Sequence, residues 1–190
     1  MRIVGGAHRG RRIAAPKGDV ARPTTDRVRE ALFNLLEHGQ GAALDGARVI
    51  DLFAGSGALG FEALSRGAAF VLFVETSAAS RGAIRQTIDD WGAFGETRIH
   101  RRDACALGTK PAGLGARFDV AFLDPPYGQG LVEPALAALA SGAWLSAGAT
   151  IAVERPSREP ETQAARYLLR DARAYGDTRI DILSFDDTAE

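Results

Sequence analysis

From residue 47 onward, short apolar runs alternate with amphipathic stretches, and this alternation constrains the fold of the 190-residue chain more than any other feature. Residues 48–53, 70–75, 98–102, 118–124 and 149–154 read as strands, three of them nearly continuous in Val, Leu, Ile and Phe. Between them, residues 58–66, 78–91 and 131–139 carry helical periodicity, with Ile84, Ile88 and Trp91 on one face of the second helix. Strands without a polar face are buried on both sides, which predicts a parallel sheet covered by helices. The ending differs. Residues 167–174 and 178–185 flank Tyr175-Gly176-Asp177 with no room for a helix, so they predict an antiparallel hairpin. The fold class is α/β and Rossmann-like: a mostly parallel seven-stranded sheet closed by a C-terminal antiparallel hairpin. Only the Ala/Gly-rich stretch around residues 104–116 has a loop's composition.

The first 40 residues follow another pattern. Two short strands within residues 2–15 predict a hairpin. Arg22-Pro23-Thr24-Thr25-Asp26 then signals a helix start with threonine caps. Val28, Ala31, Leu32, Leu35 and Leu36 share the face of that helix, which ends near Gly39. We therefore divide the chain into an N-terminal extension, residues 1–40, and a main domain, residues 41–190. Charge sets the extension apart. Residues 1–30 hold eight basic residues against three acidic ones, in a chain whose total is −1. Seven of the eight are arginines, which suit phosphate forks.

The remaining composition works by exclusion. A single cysteine, Cys105, permits no internal disulfide, and His8, His38 and His100 have no ligand spacing, so no metal site is expected. No apolar run reaches the roughly 20 residues of a membrane span, and no signal peptide is evident. The expectation is a soluble, cytoplasmic monomer.

Asp51-Leu-Phe53-Ala54-Gly55-Ser-Gly57-Ala-Leu-Gly60 places a glycine-rich turn between the first strand and its helix. The Gly-x-Gly-x-x-Gly spacing, with Glu75 twenty residues beyond Gly55, also fits a dinucleotide, so a nicotinamide or flavin oxidoreductase is a rival. In either reading the glycines let backbone approach the cofactor, and Glu75 accepts hydrogen bonds from ribose hydroxyls. Asp51 tips the balance. A carboxylate at the end of the first strand serves an ammonium group and repels a pyrophosphate. Asp103-Ala104, at the end of the third strand, offers an acceptor for an adenine amino group.

Asp124-Pro125-Pro126-Tyr127 closes the fourth strand and has no role in hydride transfer. It suits methylation of an exocyclic amine on a nucleobase. Such an amine is a poor nucleophile because its lone pair is conjugated with the ring. Acceptors for both N–H groups, the Asp124 carboxylate and the Pro125 carbonyl, turn that lone pair toward an electrophile. The prolines stiffen the loop and present no competing N–H, while Tyr127 provides a stacking face. Together the four strand ends favour S-adenosylmethionine as cofactor. An amine on adenine or cytosine, in DNA or another RNA, remains an alternative target, because the tetrapeptide recognises an amine rather than a base.

The chain resembles the bacterial 16S rRNA guanine-N2 methyltransferase family (RsmD-type) over nearly its whole length. The match runs through Met1-Arg-Ile-Val-Gly-Gly, Arg9-Gly-Arg, Arg22-Pro-Thr-Thr-Asp-Arg-Val-Arg-Glu-Ala-Leu-Phe-Asn34, Asp51–Gly60, Asp124–Tyr127 and Tyr175-Gly-Asp-Thr178. His8 and the Gly/Ala-rich residues 104–117 depart from the family pattern. The resemblance implies the class I S-adenosylmethionine-dependent methyltransferase fold. It also implies transfer of a methyl group to the 2-amino group of one guanine in 16S rRNA, within an assembling small subunit. On this reading Asp124, Pro125, Pro126 and Tyr127 are catalytic. Asp51, Phe53, Ala54, Gly55, Gly57, Glu75, Asp103 and Ala104 hold the cofactor. Arg2, Arg9, Arg11, Arg12, Arg22, Thr24, Thr25 and Arg27 contact RNA.

Overall fold

The computed structural model describes residues 1–16, 26–38 and 44–188. Arg22, Thr24 and Thr25, and the expected helix stop at Gly39, lie outside the described residues. In chain order the elements are α1 (Asp26–His38), β1 (Arg48–Leu52), α2 (Ala58–Ser65), β2 (Phe70–Val74), α3 (Ala78–Trp91), β3 (Thr97–His100), β4 (Phe118–Leu123), α4 (Val132–Ser141), β5 (Leu145–Pro156), β6 (Tyr167–Tyr175) and β7 (Thr178–Phe185). They build one seven-stranded sheet in the order β3-β2-β1-β4-β5-β7-β6. The first five strands are parallel; β7 runs antiparallel to β5 and to β6. The alternation of apolar strands and helices, and the helix-free ending, are thus both realised.

Each face of the sheet has its own core. Val49, Phe73, Val120 and Phe122 pack against α1, α2, α3 and the N-terminal segment through Leu32, Phe33, Phe61 and Ile84. Ile50, Leu72, Leu123 and Val153 face the other way, onto Leu136 and Leu139 of α4 and onto Trp144. Each such side chain, fully buried, contributes roughly 1.5–3 kcal/mol. The close approach of α2 to the sheet depends on Gly60. A Cβ there would stand 2.3 Å from the Phe73 ring and 2.7 Å from Val71.

Several boundaries differ from those expected. The β3 strand stops at His100, whose carbonyl accepts from the N–H groups of both Glu75 and Arg102 and so turns the chain before Arg101 and Arg102. Asp103 therefore stands in a turn, three residues past the strand. The β5 strand begins early, at Leu145, with a register shift against β4 that Gly148 accommodates at φ 74°. Residues 104–116 are not a plain loop. They form two short 3₁₀ turns, Ala104–Ala106 and Ala112–Leu114, which send Leu107 and Leu114 into the core.

The expected N-terminal hairpin forms around the antiparallel Arg2–Arg12 bridge, with Ile3 N–H donating to the Arg11 carbonyl, Gly10 N–H to that of Ile3 and Ile13 N–H to that of Met1. Further backbone donors of this segment bond to α2. The Val4 and Gly5 N–H groups donate to the Glu62 carboxylate at 2.9 and 2.8 Å, and His8 N–H donates to Ser65 Oγ. Glu62 is fully buried and also meets Arg66 at 3.0 Å and Arg29 at 3.5 Å. Several donors on one carboxylate offset the cost of burying its charge. Arg29 is itself fully buried, donating to Asp26 and to the Arg2 carbonyl, so this member of the basic cluster faces inward.

Candidate active site at the strand ends

Parallel register brings three carboxylates to one edge. Leu52 pairs with both Val74 and Leu123, so Glu75 and Asp124 emerge one residue further on, either side of Phe53. Asp51 lies one step deeper, beside Phe73 and Phe122, and is 1% exposed. Its Oδ2 accepts from Gly60 N–H at 3.0 Å, near the start of α2. Burial pushes the Asp51 carboxyl well above the usual carboxylate range; the Gly60 bond offsets part of the rise, and the charges of Asp124 and Glu75 add to it. A buried carboxyl raised by two neighbouring acids favours a cationic ligand, which relieves the repulsion.

The glycine loop completes this edge. Phe53, Gly55 and Gly57 all take positive φ, 58°, 55° and 78°. The loop is braced by Glu75, whose two oxygens accept from Gly55 N–H at 2.8 Å and Ser77 N–H at 2.7 Å. Ala54 N–H bonds the Val74 carbonyl, which ties the turn to β2. A Cβ on Gly55 would meet nothing nearer than the Phe53 carbonyl at 3.9 Å, so the space above the loop is open, whereas Gly57 is walled by Phe61 and Phe73. Each Glu75 oxygen keeps a spare lone pair for a hydroxyl. Converging acids, an open glycine floor and a braced acceptor fit S-adenosylmethionine, whose sulfonium and ammonium are both positive.

Asp103 is exposed and accepts from Cys105 N–H at 2.8 Å, capping the 3₁₀ turn, while Ala104 behind it is buried. In the loop after β4 Pro125 is buried, Pro126 exposed, and Asp124 and Tyr127 half-buried. The Tyr127 phenol donates to Glu154 Oε1 at 3.1 Å and lies 3.3 Å from Thr178 Oγ1. Burial, offset by Thr178 and reinforced by the Glu154 charge, pushes this phenol up to about 12, so it remains a donor at neutral pH. Glu154 and Thr178 escaped the sequence reading, although Glu154 lies near the end of β5 as Glu75 and Asp124 follow β2 and β4, and Thr178 closes the Tyr-Gly-Asp-Thr motif.

The arginines of the extension do not join this cluster. Arg11 donates to the Asp90 carbonyl and stacks on Trp91, 5.0 Å from the ring centre; Trp91 donates to the Arg12 carbonyl, and His8 packs on the same ring. Trp91 ends α3 and precedes the first residue of β3, so His8, Arg11 and Arg12 occupy the amino edge of the sheet. α3, with 14 residues and a length of about 20 Å, runs between this basic surface and the carboxyl edge. Arg2 donates to Gly10; Arg9 and Arg27 are exposed. Among the described residues no acid or histidine cluster suits a metal ion, and no helix is long and apolar enough to cross a membrane.

Known proteins share the family and the fold of this chain. The family model described as conserved hypothetical protein 95 matches residues 1–184. Ribosomal RNA small subunit methyltransferase D of Escherichia coli K12 is 39% identical over 156 residues, 81% of this chain and 74% of that protein. Its Haemophilus influenzae counterpart is 36% identical over 163 residues, 84% and 81% of the respective chains. Among solved structures, the methyltransferase yhhF of Escherichia coli superposes with a TM-score of 0.82 at 32% identity, covering 99% of both chains. A Thermus thermophilus protein gives a TM-score of 0.72 at 28% identity, covering 96% of this chain and 98% of that one. The fold is that of the methyltransferases, and these relatives imply S-adenosylmethionine as the cofactor. With its strand order, its acid-lined edge and these relatives, the chain is a methyltransferase and belongs to the ribosomal RNA small subunit methyltransferase D family.

Proposed function

We propose that the protein methylates the exocyclic 2-amino group of one guanine in 16S rRNA, within the small ribosomal subunit or an assembly intermediate. The observation that carries this reading is the position of Asp124-Pro125-Pro126-Tyr127, one residue past the register of β1 and next to Asp51 and Glu75. The family supports the choice of rRNA, because the curated relatives carry that substrate in their names.

S-adenosylmethionine supplies an electrophilic methyl group on a sulfonium. Asp51 would hold its ammonium, Glu75 its ribose hydroxyls, and Gly55 and Gly57 the close-approaching backbone; Asp103 and Ala104 border the adenine. The guanine leaves its stack, as bases do for enzymes that work on ring substituents. Tyr127 receives its face. Asp124 and the Pro125 carbonyl accept the two amine hydrogens and direct the lone pair. Positioning supplies much of the rate, and the same acceptors stabilise positive charge growing on the nitrogen. No covalent intermediate on the protein is required, and Asp124 is placed to take the proton after transfer.

Glu75→Ala should raise the dissociation constant for S-adenosylmethionine at least tenfold, because the ribose acceptor and the brace on Gly55 vanish together. Calorimetry checks this; an unchanged constant would remove Glu75 from the cofactor site. The arginines at the amino edge act at a distance. We assign Arg9 and Arg12 to rRNA phosphates away from the reacting base, since α3 separates the two edges of the sheet. Charge reversal of both should reduce methylation of small subunits about tenfold and flatten its salt dependence, with cofactor affinity unchanged. Undiminished activity would move the RNA surface elsewhere.

The substrate class is tested by offering small subunits that lack the modification, free 16S rRNA, large-subunit rRNA and duplex DNA as methyl acceptors. The first two should accept label and the others should not. Preferential labelling of DNA or large-subunit rRNA would contradict the reading.

A further inference from the structure

The turn Tyr175-Gly176-Asp177-Thr178 lies at the carboxyl edge, because β6 runs toward that edge and β7 leaves it. Gly176 takes φ 62°, and the Asp177 carbonyl accepts from Ser157 N–H at 2.8 Å, so the turn is pinned to the end of β5. Thr178 pairs with Pro156, and Glu154 pairs with Ile180. Thr178 and Glu154 therefore rise from neighbouring strands, 6% and 7% exposed, and both meet the Tyr127 phenol.

We propose that Glu154 and Thr178 are positioning residues for Tyr127, fixing the tilt of the ring on which the target base stacks. This rests on the reading of Tyr127 as the stacking face. The local chain explains the need. Pro125 and Pro126 stiffen the approach to Tyr127, but Gly128 and Gly130 follow at φ 74° and 61°, where the backbone is pliant. The hydrogen bonds of the phenol tie this loop to the sheet. A tyrosine ring otherwise turns in a broad torsional well. Here the phenolic O–H donates to Glu154, which leaves the Thr178 hydroxyl to donate to the phenol oxygen. A phenol prefers its O–H in the ring plane, so two partners at fixed places select the plane as well as the position of the oxygen. The hairpin at the C-terminus thereby becomes part of the base-binding apparatus although it touches no substrate.

A mutant cycle tests the inference, with kcat on small subunits, cofactor affinity and melting temperature read for each variant. Thr178→Val, nearly isosteric, and Tyr127→Phe, which keeps the stacking face, should each lower kcat about tenfold. Cofactor affinity should be unchanged in both. Glu154→Ala should do the same, and Glu154→Gln, which keeps an acceptor oxygen, should restore most of the loss. If Glu154→Ala fails to fold, the threonine variant carries the test. Adding Thr178→Val to Tyr127→Phe should cost nothing further, because the tether is already gone. Wild-type kcat in Tyr127→Phe and Thr178→Val, beside an inactive Tyr127→Ala, would overturn the positioning role alone. Full activity in Tyr127→Ala would overturn the stacking reading, and the inference with it.

Discussion

Replacing Asp124 with Ala should reduce methyl transfer at least about a thousandfold while S-adenosylmethionine affinity stays within a few-fold of wild type. The asymmetry follows from where the carboxylate stands. Asp124 leaves β4 beside the glycine loop, but the acid buried near the end of β1 is Asp51, and the loop is braced by Glu75. Removing Asp124 takes away an acceptor that works on the amine and on the charge it develops. Deleting one such preorganised group costs about 10²–10³ in rate. Loss of amine orientation adds to that, since a misaimed lone pair does not reach the electrophile. Single-turnover transfer to small subunits, beside calorimetry with the cofactor, separates the two effects. Affinity and rate falling by the same factor would mean that Asp124 binds cofactor instead.

Asp51→Asn should give the opposite pattern: a more stable protein that no longer holds its cofactor. Burial and two neighbouring acids raise the Asp51 carboxyl well above its ordinary value, so the native state keeps a proton that the unfolded chain has released. When the native state binds the extra proton, stability falls as pH rises from about 4 through the raised value. Above that window the raised carboxyl is thus a cost to the unliganded fold. Asparagine retains an oxygen for the Gly60 N–H and carries no charge. Gain in the unliganded state should be about 1 kcal/mol or more, roughly 3 °C in melting temperature. Cofactor affinity should drop by at least about a hundredfold, because an ammonium loses its buried counter-charge. A thermal-shift series with and without S-adenosylmethionine reads both: wild type gains stability on binding and the variant does not. Wild-type affinity in Asp51→Asn would place the ammonium elsewhere.

The two halves of the chain differed in how much they disclosed. The sheet was legible because its strands are apolar on both faces, a pattern that only a covered parallel sheet satisfies. The hairpin was legible because three turn residues leave no length for a helix. What periodicity could not show was partnering at long range. The N-terminal strands pair with each other as expected, but Glu62, on a helix 57 residues beyond Gly5, also takes two further N–H groups of that segment. Arg29 looked like one more surface cation and is buried against the same acid. At the site, Asp51, Gly55, Glu75 and Asp124 were named from strand ends, where local pattern and location coincide. Glu154 and Thr178 were not, since their contact with Tyr127 spans 27 and 51 residues and arises only from the β5–β7 register. The remoteness of Arg11 and Arg12 from the acids depended likewise on Trp91, which fastens both to the far end of α3.

The most direct measurement is transfer of a radiolabelled methyl group from S-adenosylmethionine to small subunits lacking the modification, followed by digestion and nucleoside analysis. An amine-directing Asp124-Pro125-Pro126-Tyr127 site acting on guanine predicts label in N2-methylguanosine from 16S rRNA and in no other nucleoside. Label in methyladenosine or methylcytidine would contradict guanine as the target, and label on ribose or a ring carbon would contradict the amine mechanism itself.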